Sequence, residues 1–306
     1  MKKKGFTIIE LLTVITIITI LVGILTPGIR KAKTTAMNLK QKAQLRAVGL
    51  GVELFAFEND NDYPDSAYSQ LTTGSTITTG AHHLAEALLG RDGKGYDPES
   101  SNDAVFDETS ALNPYDPAAG YYNRECPYVE PDDINMSQLA QVYGGVANTG
   151  NAYPGDFDDE GNITAADRIE AGVLTDVFRK RKVQQPLSGQ VVKVGSPILY
   201  FKAKDSEYFR DPDGTIVTDY SQNVFNWEDN ADIFALGHFM DNSKIHPYDD
   251  PAIFYAEDGD IINKNIRTDA ISGDPVPYGR NSFLLLSAGS DGLYGTKDDV
   301  YNISRK

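Results

Sequence analysis

Carboxylates are the side chains best placed to do chemistry in this chain, and two groups of them have informative spacing. Near the C-terminus, in LLSAGSDGLYGTKDDVYNIS, Asp291 stands in a glycine-rich turn. Asp298 and Asp299 follow seven and eight residues later. Gly289, Gly292 and Gly295 let such a loop fold back, so that the carboxylates and nearby carbonyls converge. A set of oxygens of this kind suits Ca²⁺, which takes roughly six to eight oxygen ligands. The second group is DFDDEGNITAAD. Asp156, Asp158 and Glu160 fall at positions one, three and five of a twelve-residue calcium loop, with Gly161 at six and Asp167 at twelve. Glu at position five is atypical, position twelve is Asp where Glu is usual, and NAYPG precedes the segment where a helix would be usual. A solvated acidic turn also fits either segment.

Other chemistry has little support. The four histidines are His82, His83, His238 and His246, and they form no H-E-x-x-H pattern. No G-x-S-x-G or phosphate-binding G-x-x-x-x-G-K-[ST] occurs, and GRDGKG (90–95) resembles the latter only superficially. Cys126 lies between Glu125 and Pro127 with no mark of a nucleophile, and as the single cysteine it excludes an intramolecular disulfide. Trp227, with Tyr200, Phe201, Phe225 and Phe234, reads as core packing. No catalytic role is expected, and the chain is read as not an enzyme.

The N-terminus carries the strongest signal. Lys2, Lys3 and Lys4 form a basic cap, and from Leu11 to Ile29 no residue is charged. That length approaches the ~20 residues a membrane-spanning helix needs. The lysines place the cap on the cytoplasmic side and the bulk of the chain outside. A secretory signal would need a small-residue cleavage site after the apolar run, and none follows. A plain anchor leaves Glu10 unexplained, because a lone carboxylate inside a bilayer costs several kcal/mol. Cleavage between Gly5 and Phe6 explains it. A new α-amino group is created, and Glu10 of one copy can pair with that amine on another.

The segment KKKG-FTIIELL resembles the prepilin signal of type IV pilins and type II secretion pseudopilins. The resemblance implies that a prepilin peptidase cuts after Gly5 and methylates Phe6. It places Glu10 on the family's assembly glutamate and Pro27 on its helix-kinking proline. It further implies an inner-membrane assembly platform with its ATPase, and polymerisation with like copies and other pseudopilins. The C-terminal segment resembles the calcium loop of G-type pseudopilins. Asp291 would then match the first acidic ligand and Asp298 and Asp299 the later pair, with carbonyls near Leu286, Ser287 and Val300 completing the shell.

These residues must be positioned by the rest of the fold. A helix is expected from about Thr7 to Glu58, about 75 Å long, bent or locally melted at Gly23, Pro27 and Gly28. Ala32, Ala36, Leu39, Ala43, Ala47, Leu50, Leu54 and Phe57 recur every three or four residues and are expected to pack on the globular body. Short helices are expected over 81–90, 136–145 and 164–182. Strands are expected within 190–204 and 214–220, over Phe283–Ser287, and within 299–304. Residues 1–5 then form a leader, 6–29 the membrane and filament-core half of the helix, and 30–306 an outer globular domain enlarged over about 80–280.

Composition agrees with that reading. The chain has 306 residues, of which 41% are hydrophobic, with a formal net charge of −16. No nucleic-acid partner is expected, since wrapping a nucleic acid requires a basic surface. A mean hydropathy of −0.36 excludes a polytopic membrane protein but allows one anchor. The expected fold is an α/β (α+β) pilin fold: a long N-terminal helix packed on an antiparallel sheet, with a large loop and helix insertion. The expected function is that of a pseudopilin, a structural subunit of a type II secretion pseudopilus, held single-pass in a bacterial inner membrane with its C-terminal domain in the periplasm. A type IV pilin for adhesion, motility or DNA uptake, or a membrane-anchored calcium-dependent binding protein, are the alternatives.

Overall fold

The structure, a computed structural model, describes residues 7–66, 69–70, 77–90, 95, 127–130, 134–143, 172–178, 181–184, 191–204, 224–241, 243–255, 266–268, 275–277 and 282–302. The segments 156–167 and 214–220, together with Cys126, Gly5 and Phe6, lie outside the described residues.

Helix α1 runs Ile8–Glu58 as one element of 51 residues. It passes through Gly23, Pro27 and Gly28 without interruption, so the expected local melting does not occur. Proline removes one bond of the ladder, and helix propagation on either side outweighs that loss. The pair β1 (Ser69–Gln70) and β2 (Ile77–Thr78) follows, then α2 (Gly80–Leu89), closed by Gly90. Next come β3 (Asn135–Gln138), α3 (Leu139–Tyr143), β4 (Gly172–Thr175), β5 (Arg181–Gln184), β6 (Val191–Val194) and β7 (Leu199–Lys202). A 3-10 turn over Trp227–Asn230 leads into α4 (Ala231–Ala235), and another over Pro247–Asp249 leads into α5 (Pro251–Phe254). The chain ends with β8 (Ile266–Thr268), β9 (Pro275–Pro277), β10 (Phe283–Ser287) and β11 (Val300–Tyr301).

Two of the expected short helices are corrected. The stretch 164–182 contains strand β4 and the start of β5, and 136–145 begins as strand β3 before turning helical at Leu139. In both places pairing decides the outcome. Gly172–Thr175 pairs antiparallel with Asn135–Gln138, a partner far away in sequence that local periodicity does not reveal.

The central antiparallel sheet has the order β11-β10-β7. Phe283 pairs with Lys202, Leu286 with Leu199 and with Tyr301, and Ser287 with Val300. Strand β7 lies within residues 80–280, so that stretch contributes to the sheet itself. Both faces of the sheet are covered. Tyr200, Phe283, Leu285 and Val300 pack with Leu45, Val48 and Val52 of α1 and with Leu84 and Leu88 of α2. Leu199, Phe201, Leu284 and Leu286 pack on the other side with Phe234, Tyr248, Phe254 and Tyr294. Burial on both faces explains why β10 reads as an unbroken apolar run. The expectation for Trp227 and its aromatic neighbours holds: Trp227 stacks on Phe234 at 6.3 Å between centroids.

The apolar stripe of α1 does not face this core. Leu39, Leu50 and Phe57 are 64%, 71% and 78% exposed. The buried face carries Gln41, Gln44, Leu45, Val48, Val52, Phe55 and Ala56. Its two glutamines serve as hooks. Gln44 Nε2 donates to the Thr175 carbonyl at 3.0 Å, and Gln41 Oε1 accepts from the Val177 amide at 2.9 Å. These bonds to the end of β4 and the loop beyond it offset part of the cost of burying the two amides, while Gln41 Nε2 and Gln44 Oε1 have no hydrogen-bond partner among the described residues.

The chain after α1 is clasped by a buried polar group. Tyr200 donates its hydroxyl to the Pro64 carbonyl at 2.7 Å. The Ser66 hydroxyl accepts from the Lys202 amide at 2.9 Å and donates to Asp229 Oδ2 at 2.5 Å. Asn230 bridges the Ala81 amide and the Tyr200 carbonyl, which seats the start of α2 against β7. Asp229 is 3% exposed, and burial pushes its carboxyl up to about 8 despite the Ser66 bond. Its folded-state value lies above its unfolded value of 3.8. The folded chain therefore holds the proton more tightly, and Asp229 contributes most stability below pH ~4 and progressively less as pH rises toward ~8. Denaturant titrations of the detergent-solubilised chain at pH 5 and pH 8 should show a loss of a few kcal/mol across that window. Asp229→Asn should flatten the loss while keeping an acceptor for Ser66. An equal slope in the variant would remove this role.

Candidate functional site

Two places hold the residues singled out by sequence: the head of α1 and the loop between β10 and β11. Thr7 is the N-cap of α1 and forms a reciprocal capping box with Glu10. The Thr7 amide donates to Glu10 Oε2 at 2.8 Å and its hydroxyl donates to the same oxygen at 2.7 Å, while the Glu10 amide donates to Thr7 Oγ1 at 3.3 Å. Among the described residues Glu10 Oε1 has no partner. The T-x-x-E spacing signals such a box directly.

From Leu11 to Ile29 the helix carries no charge and is exposed on every side. Ile8 is 83% and Ile24 72% exposed, and an 18-residue window reaches a mean hydropathy of 2.7 with no residue buried. The helix is long and apolar enough to cross a membrane. Its threonines are compatible with lipid. The hydroxyls of Thr16, Thr19 and Thr26 each donate at 2.7 Å to the carbonyl four residues back. Every polar atom of those side chains that needs an acceptor thus finds one inside the helix. Pro27 lies near the end of this span, within the unbroken helix.

The second place is built by turns. Gly289 has φ +66 and Gly292 φ +80, conformations that glycine adopts without steric cost. They fold the chain so that Asp298 Oδ2 accepts from the Asp291 amide at 2.9 Å and from Ser290 Oγ at 2.8 Å, and Asp298 Oδ1 accepts from Thr296 Oγ1 at 2.7 Å. Asp291 Oδ1 accepts from the Leu293 amide at 2.8 Å. Asp299 turns inward. Its Oδ2 accepts from the Gly295 amide at 2.8 Å, and its Oδ1 is buried with no hydrogen-bond partner among the described residues. Burial holds the Asp299 carboxyl well above the usual carboxylate range, and the charges of Asp291 and Asp298 add to the shift. Burial likewise raises Asp291, while bonds from Thr296 and Ser290 outweigh burial at Asp298 and lower it.

The structure therefore brings Asp291 and Asp298 into direct contact and sets Asp299 beside them on the inner side. Among the described residues, no group of three His, Cys, Asp or Glu side chains forms a metal cluster on its own. Any cation here would also draw on oxygens that are not carboxylates. The side-chain hydroxyls of Ser290 and Thr296 belong to this set. Their positions beside Asp291 and Asp298 give the only trace of that in sequence.

Two histidines, for which the sequence offers no such trace, brace the loop from outside. His238 Nδ1 accepts from the Met240 amide at 3.2 Å, so Nε2 carries the proton and donates to the Asp291 carbonyl at 2.8 Å. His246 Nδ1 accepts from the Tyr294 amide at 3.1 Å, and burial pushes this ring down to about 3, so it stays neutral. Tyr294 donates its hydroxyl to the Pro197 carbonyl at 2.6 Å, anchoring the loop to the turn before β7.

Residues 1–26 match the family model described as the prokaryotic N-terminal methylation motif. This supports a type IV pilin-like protein. The motif implies processing by a prepilin peptidase and pilus-like polymerisation, and with the apolar helix it supports anchoring in a membrane. Proteins with this motif are structural subunits. No curated protein and no solved structure matches the chain.

The loop geometry makes a direct test possible. A Cβ at Gly289 would lie 2.1 Å from the Asp298 carbonyl oxygen, whereas a Cβ at Gly23 would meet nothing within 4 Å. Gly289→Ala should destabilise the chain by at least about 2 kcal/mol, through strain at positive φ and displacement of Asp298. Gly23→Ala should leave the unfolding midpoint unchanged or raised. Denaturant unfolding of both variants in detergent gives the comparison, and equal midpoints would contradict the tight closure of the loop.

Proposed function

We propose that the chain is a pseudopilin, a structural subunit of a type II secretion pseudopilus that assembles through its apolar N-terminal helix. The observation that carries this reading is the prepilin motif on an exposed apolar helix whose head presents Glu10. The subunit waits in the inner membrane of a bacterium with residues 6–29 in lipid and its globular domain in the periplasm. A prepilin peptidase removes residues 1–5 and methylates Phe6. An assembly platform with its ATPase then lifts the subunit out of lipid. Once out, the apolar face of α1 would meet water unless other helices cover it, so burial among like copies and other pseudopilins supplies the cohesion. Glu10 takes the Phe6 amine of a neighbour, which a bare carboxylate inside a helix bundle requires. No chemical step is assigned to this protein.

Calcium is part of the same proposal. The oxygen-only donor set and the unpaired, buried Asp299 Oδ1 support a cation at Asp291, Asp298 and Asp299. Bound Ca²⁺ would neutralise the crowded acids and tie the loop together, as a cystine would in a chain with a second cysteine. A second ion at Asp156, Asp158, Glu160 and Asp167 rests on sequence spacing alone.

Three measurements test this. Mass spectrometry of the mature protein should find Phe6 as the first residue, with a methylated amine. Glu10→Gln keeps a residue that can complete the capping box but removes the charge, and Glu10→Val removes both. Each should insert in membranes, yet lower the sedimentable filament fraction by about tenfold or more, equivalent to at least ~1.4 kcal/mol. Normal assembly of the Gln variant would reduce Glu10 to a helix cap. For calcium, saturation of one site at ~100 Kd stabilises by about 2.7 kcal/mol, or about 5–10 °C in melting temperature for a domain of this size. A chelator should remove that increment from the full chain, and Asp291→Ala should mimic the chelator. Identical melts with and without Ca²⁺ would refute the metal.

A further inference from the structure

A short bare stretch of α1 separates its apolar span from the globular body. Residues 11–29 carry no charge. At 1.5 Å per residue they cover about 28 Å, which matches the roughly 30 Å hydrocarbon layer of a bilayer. Residues 31–36 are all exposed, and the body first covers the helix at the half-buried Met37 and Asn38. Met37 lies about 12 Å beyond Ile29 along the axis. A headgroup layer is about 5–8 Å thick on each side of a bilayer, so it fits within the bare stretch. Arg30, Lys31 and Lys33 open that stretch, at about 2, 3 and 6 Å past Ile29. Lys40, Lys42 and Arg46 lie about 16 to 26 Å past it, beside the body and outside the headgroup layer.

We infer that Arg30, Lys31 and Lys33 form a collar that binds the phosphate groups of acidic phospholipids at the outer face of the membrane. The inference rests on the anchoring of residues 6–29 in lipid proposed above, and it adds the lipid class held at the outer end of the span. Depth is the first support, since α1 is unbroken through Pro27 and carries these bases straight into the headgroup layer. Charge is the second. Residues 11–52 contain six bases and no acid, so the helix offers the collar no counter-charge of its own. Among the described residues neither Lys31 nor Lys33 has an ion-pair partner. Both side chains have long flexible stems that can lie along the lipid while the ammonium reaches a phosphate. Sidedness is the third. Bases concentrate on the cytoplasmic flank of a span, and a phosphate ligand accounts for three on the outer flank. Removal of residues 1–5 would take Lys2, Lys3 and Lys4 away and leave the collar as the basic side chains that flank the span. The collar also has a load to hold. Residues 53–306 carry 19 bases and 43 acids, and an anionic membrane surface repels a body of that charge.

Electron paramagnetic resonance of spin-labelled lipids tests this with the full chain reconstituted in phosphatidylcholine vesicles. The motionally restricted fraction of spin-labelled phosphatidylglycerol, compared with that of spin-labelled phosphatidylcholine, gives the preference for acidic lipid at the protein surface. Replacing the collar by Arg30→Gln, Lys31→Gln and Lys33→Gln should lower that preference by at least about fivefold, the factor that a single base near a charged surface supplies. Replacing Lys40→Gln, Lys42→Gln and Arg46→Gln, three exposed positions above the headgroup layer, should leave it unchanged. Lys2, Lys3 and Lys4 are the same in all three chains, so the difference belongs to the outer flank. Resistance of the vesicles to alkaline extraction reports the span itself. An inserted chain whose preference is untouched by the collar variant, or lowered equally by both variants, would overturn the collar and leave the anchor standing. Release of the chain by alkali would overturn both.

Discussion

An α-helix satisfies its backbone hydrogen bonds within itself, and everything in this molecule depends on α1 using that freedom in different surroundings. Its first half is apolar on all sides, with threonine hydroxyls turned back onto the helix. Its second half presents leucine and valine to the sheet on one side. No break separates the halves, even at Pro27, so whatever orients the span in a membrane also orients the globular domain. A subunit of this kind transmits position along a rod. That property suits lateral stacking of copies and has no counterpart in a domain tethered by a flexible linker.

The globular domain resists being pulled from that rod through specific polar hooks as well as apolar area. Gln41 and Gln44 lie at the start of the buried helix face and reach the end of β4 and the loop beyond it. Asp176, fully buried in that loop, accepts from Ser287 Oγ of β10 at 3.1 Å. The bonds thus run from helix to loop to central strand. Each would be costly to break, because an orphaned buried polar group loses its partner without regaining water. The Ser66 and Asp229 clasp does the same work at the far end of α1. Register between the helix and the sheet is therefore fixed at both ends of the contact.

What the sequence made legible divides along physical lines. The long helix, the cap at Gly90, the strands of 190–204 and Phe283–Ser287 are local features with strong patterns, and each is present. The glutamine hooks inverted the assignment of faces on α1. Periodicity finds an apolar stripe, but it cannot tell which stripe meets the core when a helix has two, and the polar residues on the true contact face made that face look solvated. Strand β4 was hidden because its partner, Asn135–Gln138, is remote in the chain. At the candidate site the three aspartates were visible from spacing. His238 and His246 were not, since their contacts to Asp291 and Tyr294 arise only from the folded path of residues 237–250.

Those histidines connect the two ends of the argument. The loop between β10 and β11 is held by His238 at the Asp291 carbonyl and by His246 at the Tyr294 amide. Tyr294 in turn stacks edge-on against Phe234, in the aromatic cluster under the sheet. Val300, just past Asp299, belongs to the opposite cluster and packs with α1. The acidic loop therefore sits between both layers of the core. A change in how Asp299 is neutralised acts on a residue whose chain neighbour touches the helix. In the filament proposed above, which that helix would hold together, the loop would bear on the helix through Val300.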